Sequence, residues 1–525
     1  MTRPESHSLS RGTLVAGCIA VCVAQIGLAI PATLNGLFQS DLHPIGSQLT
    51  WISDAFLLPV TVLELTFGVL GDLFGRKRLL VGGAALLAIG ELVAATSGGV
   101  YQLWVGQALA GLGAAALFPT SLAMIAAGTH TARDRAHGIA IWAASLSSGG
   151  FVAPVLGGVT GNYGSWRWAF VIVLVIAAAS AVLSQVAARD SSAPAGRSLD
   201  WGGQITILVG LFALLYGVIQ GQSDGWGAPS VIVAFVVAAV FLVLFVIAEL
   251  RARSPMLRLD LFRNRAFTVA SIIAVVGMFS FLGTAYATSI RLGPIQHQSP
   301  LRTSVAFILL NGITLALEPV TSRLLAKVNP RYLLSAGMLL MAAGDFIAAS
   351  IDVHDRALTS MILPLALVGI GFAFSVSSIT ATAVNTVPIH YAGMASASTS
   401  LLRDFGFTLG PAIVGAVALS RAATLFSGHL AASSLPAQVK AAASAVAQEG
   451  GPLAVNSVPP TSPPGGAAGL AVDALGTGYS VGYVVCGVAA AVSCLLALLA
   501  LRGGRADTMV TEASLAEDVA EVPTS

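Results

Sequence analysis

Charges and Gly/Pro turns cut this chain of 525 residues into fourteen long apolar runs, at 14–40, 50–70, 79–97, 101–126, 138–159, 168–188, 202–221, 230–250, 267–290, 303–322, 332–351, 359–386, 393–420 and 479–501. A helix crosses a bilayer with about 20 apolar residues, and backbone in hydrocarbon must bond to itself. Such a chain can therefore only be an all-α polytopic membrane protein. With 56% hydrophobic and 10% charged residues and a mean hydropathy of +0.84, it has too little polar surface for a water-soluble globule. The first run is long and lacks a small-residue cleavage site, so it is expected to remain as the first span.

Charge placement sets the expected topology. If the N-terminus is cytoplasmic, all of the 26 Lys and Arg fall in inside segments except Arg167, Arg291, Arg302, Arg356, Arg403, Arg421 and Lys440. The positive-inside rule then places both termini in the cytoplasm. A net charge of only +2 gives no reason to expect a nucleic-acid partner.

The runs divide into an N-terminal six-helix bundle (1–188), a linker with two additional spans (189–266), a C-terminal six-helix bundle (267–501) and a disordered acidic cytoplasmic tail (502–525). The Ala-, Ser-, Pro- and Gly-rich stretch at about 421–478 reads as a flexible or partly helical external loop. A weak repeat supports two halves: Asp72-Leu-Phe-Gly75-Arg76-Lys77-Arg78-Leu-Leu80 returns in outline as Ala326-Lys327-Val-Asn329-Pro330-Arg331-Tyr-Leu-Leu334. Asn329 stands where Gly75 stood, and Asn is the next residue best able to turn with positive φ. Repeated halves with a site at their interface are a carrier architecture.

The first copy, with Gly68, Gly71, Asp72, Gly75, Arg76 and Lys77, is the densest charge cluster between two apolar runs. Its glycines permit close helix approach and a tight turn. Ionisable side chains inside spans are costly and mark function by default. Here they are Asp54, Glu64, Glu91, Glu318, Asp345, Arg403 and Asp404. At 1.5 Å per residue, Glu64 lies about 12 Å in from Asp72, and Asp54 lies about 27 Å away, at the start of its span. Glu318 precedes Pro319 and reads as an end-of-helix or bend residue. Arg403 and Asp404, as neighbours in sequence, diverge by about 100° and should not pair with each other. Gln25, Asn35, Gln107, Asn311 and Asn385 add uncharged polarity, as cavity contacts or as helix-to-helix hydrogen bonds.

Together these motifs resemble the major facilitator superfamily, specifically its fourteen-span drug:proton antiporter family. The likeness rests on the glycine-rich turn and on Trp51-Ile-Ser-Asp54, Ser165-Trp-Arg-Trp-Ala-Phe170, Leu199-Asp-Trp-Gly202, Pro255-Met-Leu-Arg-Leu-Asp-Leu-Phe-Arg-Asn264 and Leu402-Arg403-Asp-Phe-Gly406. It implies that Asp72 and Arg76 form a conformational gate at the cytoplasmic ends of the two bundles. It also implies that Ala153, Pro154, Gly157 and Gly158 form an antiporter-like bend, although Ala153 replaces the family's glycine. Two departures concern the proton. The first span, through Cys18, Cys22, Gln25 and Pro31, has no acid, and Gln107 stands where the family has an arginine.

The implied function is secondary active efflux of lipophilic cationic or neutral compounds by alternating access with proton antiport. Asp54, Glu64, Glu91, Asp345, Arg403 and Asp404 are the candidates for coupling or substrate contact. The departures keep open an exporter or facilitator of lipid-like metabolites without that coupling, and a non-transporting sensor is a third possibility. No nucleotide, haem, zinc or catalytic motif is evident, so neither a cofactor nor an enzyme is expected. Cys18 and Cys22 share a helix face but read as small packing residues. The expected setting is a bacterial plasma membrane, with a monomeric carrier whose partners are a small-molecule substrate, protons and the bilayer.

Overall fold

A computed structural model describes residues 10–129, 132–192, 199–252, 255, 257, 259–325, 327–385 and 392–501. The side chain of Asn385 and the 502–525 tail lie outside the described residues. Sixteen helices account for nearly all of the described chain, and fourteen stretches are long and apolar enough to cross a membrane.

The first half comprises α1 (Arg11–Ala29), α2 (Pro31–Leu42), α3 (Gln48–Phe74), α4 (Arg76–Ala95), α5 (Val100–Ala127), α6 (Ala132–Tyr163) and α7 (Trp166–Ala187). The expected first span is split between α1 and α2 at Ile30, because Pro31 has no N–H to continue the ladder. Two inserted helices follow, α8 (Trp201–Asp224) and α9 (Pro229–Arg251). The second half comprises α10 (Arg265–Ile290), α11 (Pro300–Leu325), α12 (Pro330–Ser350), α13 (Leu358–Asn385), α14 (Ala392–Ala432) and α16 (Ala468–Ala500). Between the last two lies α15 (Ala437–Ser457). The 421–478 stretch is thus mostly helix: α14 runs on past residue 420, and α16 starts before 479. Its apolar residues pair off rather than remain in water, with Phe426, Leu430, Ala443, Val455 and Ala471 buried in one small core.

Packing within each half repeats. The pairs α4/α5, α3/α5, α4/α7 and α1/α6 of the first half match α12/α13, α11/α13, α12/α16 and α10/α14 of the second. The halves meet through α3 against α14 and α6 against α11, one pair on each flank. The two copies of the turn motif occupy equivalent places, α3–α4 and α11–α12. Their backbones differ, and here the sequence expectation fails. Gly75 turns with φ +102°, whereas Asn329 has φ −59° and caps α12 by accepting a hydrogen bond from the Arg331 N–H. A residue before proline is confined to extended backbone, so Pro330 withholds the left-handed turn from Asn329.

Candidate functional site

A cavity of about 240 Å³ lies between the halves. Aromatic rings line it from both halves: Phe118 and Trp142 from the first, and Phe281, Tyr286, Phe307, Phe372 and Phe407 from the second. Phe281 and Phe372 stack with ring centroids 3.6 Å apart, and Phe407 lies at a tilt 6.4 Å from Phe372. Aromatic surfaces of this kind receive flat apolar molecules well.

The charged groups that line the cavity are Glu64, Arg403 and Asp404. Glu64 of α3 faces Asp404 of α14, the two carboxyls within hydrogen-bonding reach of each other and Arg403 close by. A carboxyl-to-carboxyl hydrogen bond exists only while one member holds a proton. Thr61, one turn before Glu64, anchors the same contact. Its hydroxyl lies 2.6 Å from that of Thr408 and donates to the Asp404 carbonyl at 3.0 Å. The Arg403 guanidinium reaches the Ser400 hydroxyl at 3.4 Å.

Of the other sequence-derived candidates, Gln25, Asn35 and Asn311 line the cavity. Asn35 donates to Ser289 at 2.8 Å, which ties α2 to α10. Asp54, Glu91, Gln107 and Asp345 do not line it; each is wholly buried. Asp345 accepts hydrogen bonds from Thr284 at 2.6 Å and Ser280 at 3.2 Å. The side-chain oxygens of Asp54 and Glu91, and both ends of the Gln107 amide, have no hydrogen-bond partner among the described residues. Glu318 does more than end a helix: its carboxylate accepts from Ser147 of α6 at 3.3 Å, across the two halves.

The bend in α6 lies at the same interface. A Cβ placed on Gly157 would collide with Thr33 of α2, and one on Gly158 would come within 2.5 Å of the Ser304 hydroxyl of α11. Small residues there, beside Ala153 and Pro154, let α6 touch both halves at once.

The glycine-rich turn stands at one end of the molecule, which we call the basic end. Asp72 accepts from Arg76 at 2.7 and 3.0 Å, and the guanidinium also reaches the Ala123 carbonyl at 3.3 Å, near the C-terminus of α5, where a cation is favoured. The connection leaving α7 folds onto this turn. The Arg76 N–H donates to the Ser191 carbonyl at 3.0 Å, and the Lys77 N–H to the Asp190 carboxylate at 3.1 Å. A Cβ on Gly75 would be 2.9 Å from that carboxylate. Gly68 lies beside Pro119, and Gly71 beside Thr120, where α3 meets α5.

At the opposite end the halves are drawn together. Gly36 packs so closely on Gly293 that a Cβ on Gly36 would sit 3.0 Å from the Gly293 Cα. Thr50 and Tyr286 bond at 2.7 Å. The α15 segment covers this end and holds both halves: Ser457 accepts from Gln39 at 3.0 Å, while Asn456 donates to the Pro294 carbonyl at 2.9 Å. Nearby, within the first half, Asp41 accepts from the Trp166 indole at 2.9 Å and from Arg167 at 2.7 Å. These two bonds, the Trp166 one foremost, hold its carboxyl below the usual carboxylate range.

Reading the sequence alone missed the aromatic wall and the Thr61–Thr408 contact. Aromatic and hydroxyl side chains within an apolar run face lipid, core or cavity with equal ease, and only the rotation of each helix separates these outcomes.

Two pseudo-equivalent helical halves around a central cavity with opposed polar groups define a membrane carrier. By its match to the Major Facilitator Superfamily model over residues 16–411, the chain belongs to that family of transporters. Among its relatives, Multidrug resistance protein Stp of Mycobacterium tuberculosis is 30% identical over 382 residues, covering 73% of this chain and 71% of that protein. Tetracenomycin C resistance and export protein of Streptomyces glaucescens is 27% identical over 492 residues, covering 93% and 90%. In fold, the chain is similar to the POT family transporter PepTSo (TM-score 0.63, 12% identity, 94% of this chain and 98% of that one). It is also similar to a bacterial homologue of the lysosomal transporter Spinster in an inward-facing conformation (TM-score 0.61, 14% identity, 93% and 97%). The chain is thus a multi-pass membrane transporter for a small-molecule substrate, and relatives in its family carry drug and antibiotic resistance.

Proposed function

We propose that this transporter exports lipophilic, flat, cationic or neutral compounds by alternating access, in exchange for protons entering the cell. The observation that carries the reading is the Glu64–Asp404 carboxyl pair set in an aromatic cavity between the two halves. A proton held between the carboxyls leaves the pair a single negative charge, which the nearby Arg403 offsets; its release leaves a net negative patch suited to a cation. Binding of proton and of cationic substrate are then mutually exclusive, which is the requirement for antiport. A proton moving down a potential of 100 mV supplies about 2.3 kcal/mol. The names of the resistance and export relatives support the outward direction.

The basic end is read as cytoplasmic, with both termini there, in a bacterial plasma membrane, and the carrier is read as a monomer. The contacts that close the opposite end then correspond to an inward-open state. In the outward-open state the turn at Asp72 and Arg76 serves as the gate, its cations and acid exchanging partners as the basic end closes. Ethidium efflux from cells and proteoliposomes tests the reading. Efflux abolished by an uncoupler, and by Glu64→Gln or Asp404→Asn, is the expected result; efflux indifferent to all three overturns proton coupling. In that event the uncoupled exporter of metabolites becomes the better reading, favoured by Gln107 in place of the family's arginine.

A further inference from the structure

The inserted pair α8–α9 is more than a spacer between the halves. α8 packs against α3 and α14, the two helices that carry Glu64 and Asp404. One buried core joins Leu58 and Val62 of α3 and Ala412 of α14 to Ile207, Leu211 and Leu215 of α8. One buried polar side chain of α8 meets α3 beside Glu64 within this apolar contact. Gln204, 5% exposed, donates to the Val62 carbonyl at 3.1 Å and accepts from the Thr66 hydroxyl. An amide buried among spans is costly unless both of its ends are bonded, and here both ends are spent on one turn of α3.

That turn presents Glu64. With about 100° between successive residues, Val62 and Thr66 lie within about 40° of each other on α3, and Glu64 lies about 160–200° away. Gln204 therefore grips the back of the turn whose front carries the carboxyl. The charged groups facing Glu64, Asp404 and Arg403, both belong to α14. We propose that Gln204 is a positioning residue: the inserted helix uses it to fix the rotation and depth of the Glu64 turn, and thereby the alignment of Glu64 with Asp404. The inference rests on the proposed role of that carboxyl pair.

The test is ethidium efflux from proteoliposomes as a function of pH, with Gln204→Met, which keeps the volume and removes both hydrogen bonds. Thr66→Val removes one of the two from the other side, and the double variant completes a cycle. Gln220→Met serves as the control. It breaks a bond from the same helix to Ser47, at 2.5 Å, near the opposite end and away from Glu64. Losing a net hydrogen bond of about 1 kcal/mol predicts about a 5-fold fall in kcat for Gln204→Met, with a displaced pH profile and an ethidium KM within about 2-fold. Thr66→Val shows the same displacement, and the double variant adds little to Gln204→Met. A wild-type profile in Gln204→Met and Thr66→Val, in protein where Glu64→Gln abolishes coupling, overturns the inference and leaves the function standing. An equal displacement in Gln220→Met also overturns it, by showing only a loosened helix. If Glu64→Gln itself transports normally, the functional reading fails first.

Discussion

The hydroxyls of Thr61 and Thr408 lie 2.6 Å apart and join the two halves one turn from Glu64 and Asp404. Because Thr61 also donates to the Asp404 carbonyl, the contact fixes the backbone that carries one carboxyl from the helix that carries the other. Valine at both positions keeps the shape and removes the bonds. The double variant should fold normally and separate the carboxyl pair, lowering ethidium efflux about 5- to 10-fold, as expected for roughly 1 kcal/mol of lost alignment. The two single variants should be non-additive, as partners in one bond are; additive losses would show that they act independently.

Gly36 and Gly293 give a second handle on the conformational cycle. Valine at Gly36 has nowhere to place its side chain while the opposite end is closed, yet it obstructs only a contact between halves. The expected outcome is a shift toward the outward-open form. A cysteine in place of Ser289 should react with a membrane-impermeant maleimide from outside several-fold faster in the Gly36→Val background. An unchanged rate would mean that the end closes without this contact.

Asn456 holds the α15 cap to the backbone at Pro294 and Ile295. Replacing it with alanine leaves those carbonyls without this donor, at a cost of about 1–3 kcal/mol. The cap should loosen while the spans remain folded. Proteolysis of intact proteoliposomes near the 433–436 turn should then accelerate, with little change in the melting temperature of the spans.

The Asp41 carboxyl carries the pH prediction. Its folded pKa is depressed by the Trp166 indole and by Arg167, so the stability it contributes is present above the unfolded value, about 4, and is lost as pH falls through the folded value. Wild type should therefore exceed Asp41→Asn in thermal stability by a constant margin from pH 5 to 8, and the margin should vanish in stronger acid. Half-exposed as the pair is, the margin is expected to be under about 1 kcal/mol. A margin that grows on acidification would reverse the sign and refute the assignment.

Gly75 is the position where the basic turn depends most on glycine. Alanine there must hold φ near +102° and sits against the Asp190 carboxylate. A loss of about 1–3 kcal/mol in detergent unfolding is expected, from strained backbone alone. Unchanged unfolding would show that the turn can re-form with another backbone.

Much of this carrier can be read from its residues. Apolar run length sets the number of spans, because hydrocarbon thickness is a one-dimensional constraint that sequence records directly. Glu64 and Asp404 stood out for the same reason, as charges where charge is costly. What brings them together is the rotation of α3 and α14, which no local pattern encodes when most residues are apolar on every face. Asp54, Glu91 and Asp345 looked equivalent to them in sequence and proved to be buried away from the cavity. Asn329 shows the limit of repeat matching: a neighbouring proline changed the backbone that the aligned glycine suggested.

The position of α8 makes the two flanks of the transporter unequal. Where α6 meets α11 the halves touch each other directly, but on the α3–α14 side a third body fills part of the seam with Ile207, Leu211 and Leu215. A compound dissolved in the bilayer meets a wall on that side. For a lipophilic compound the two flanks are therefore unequal routes to the cavity.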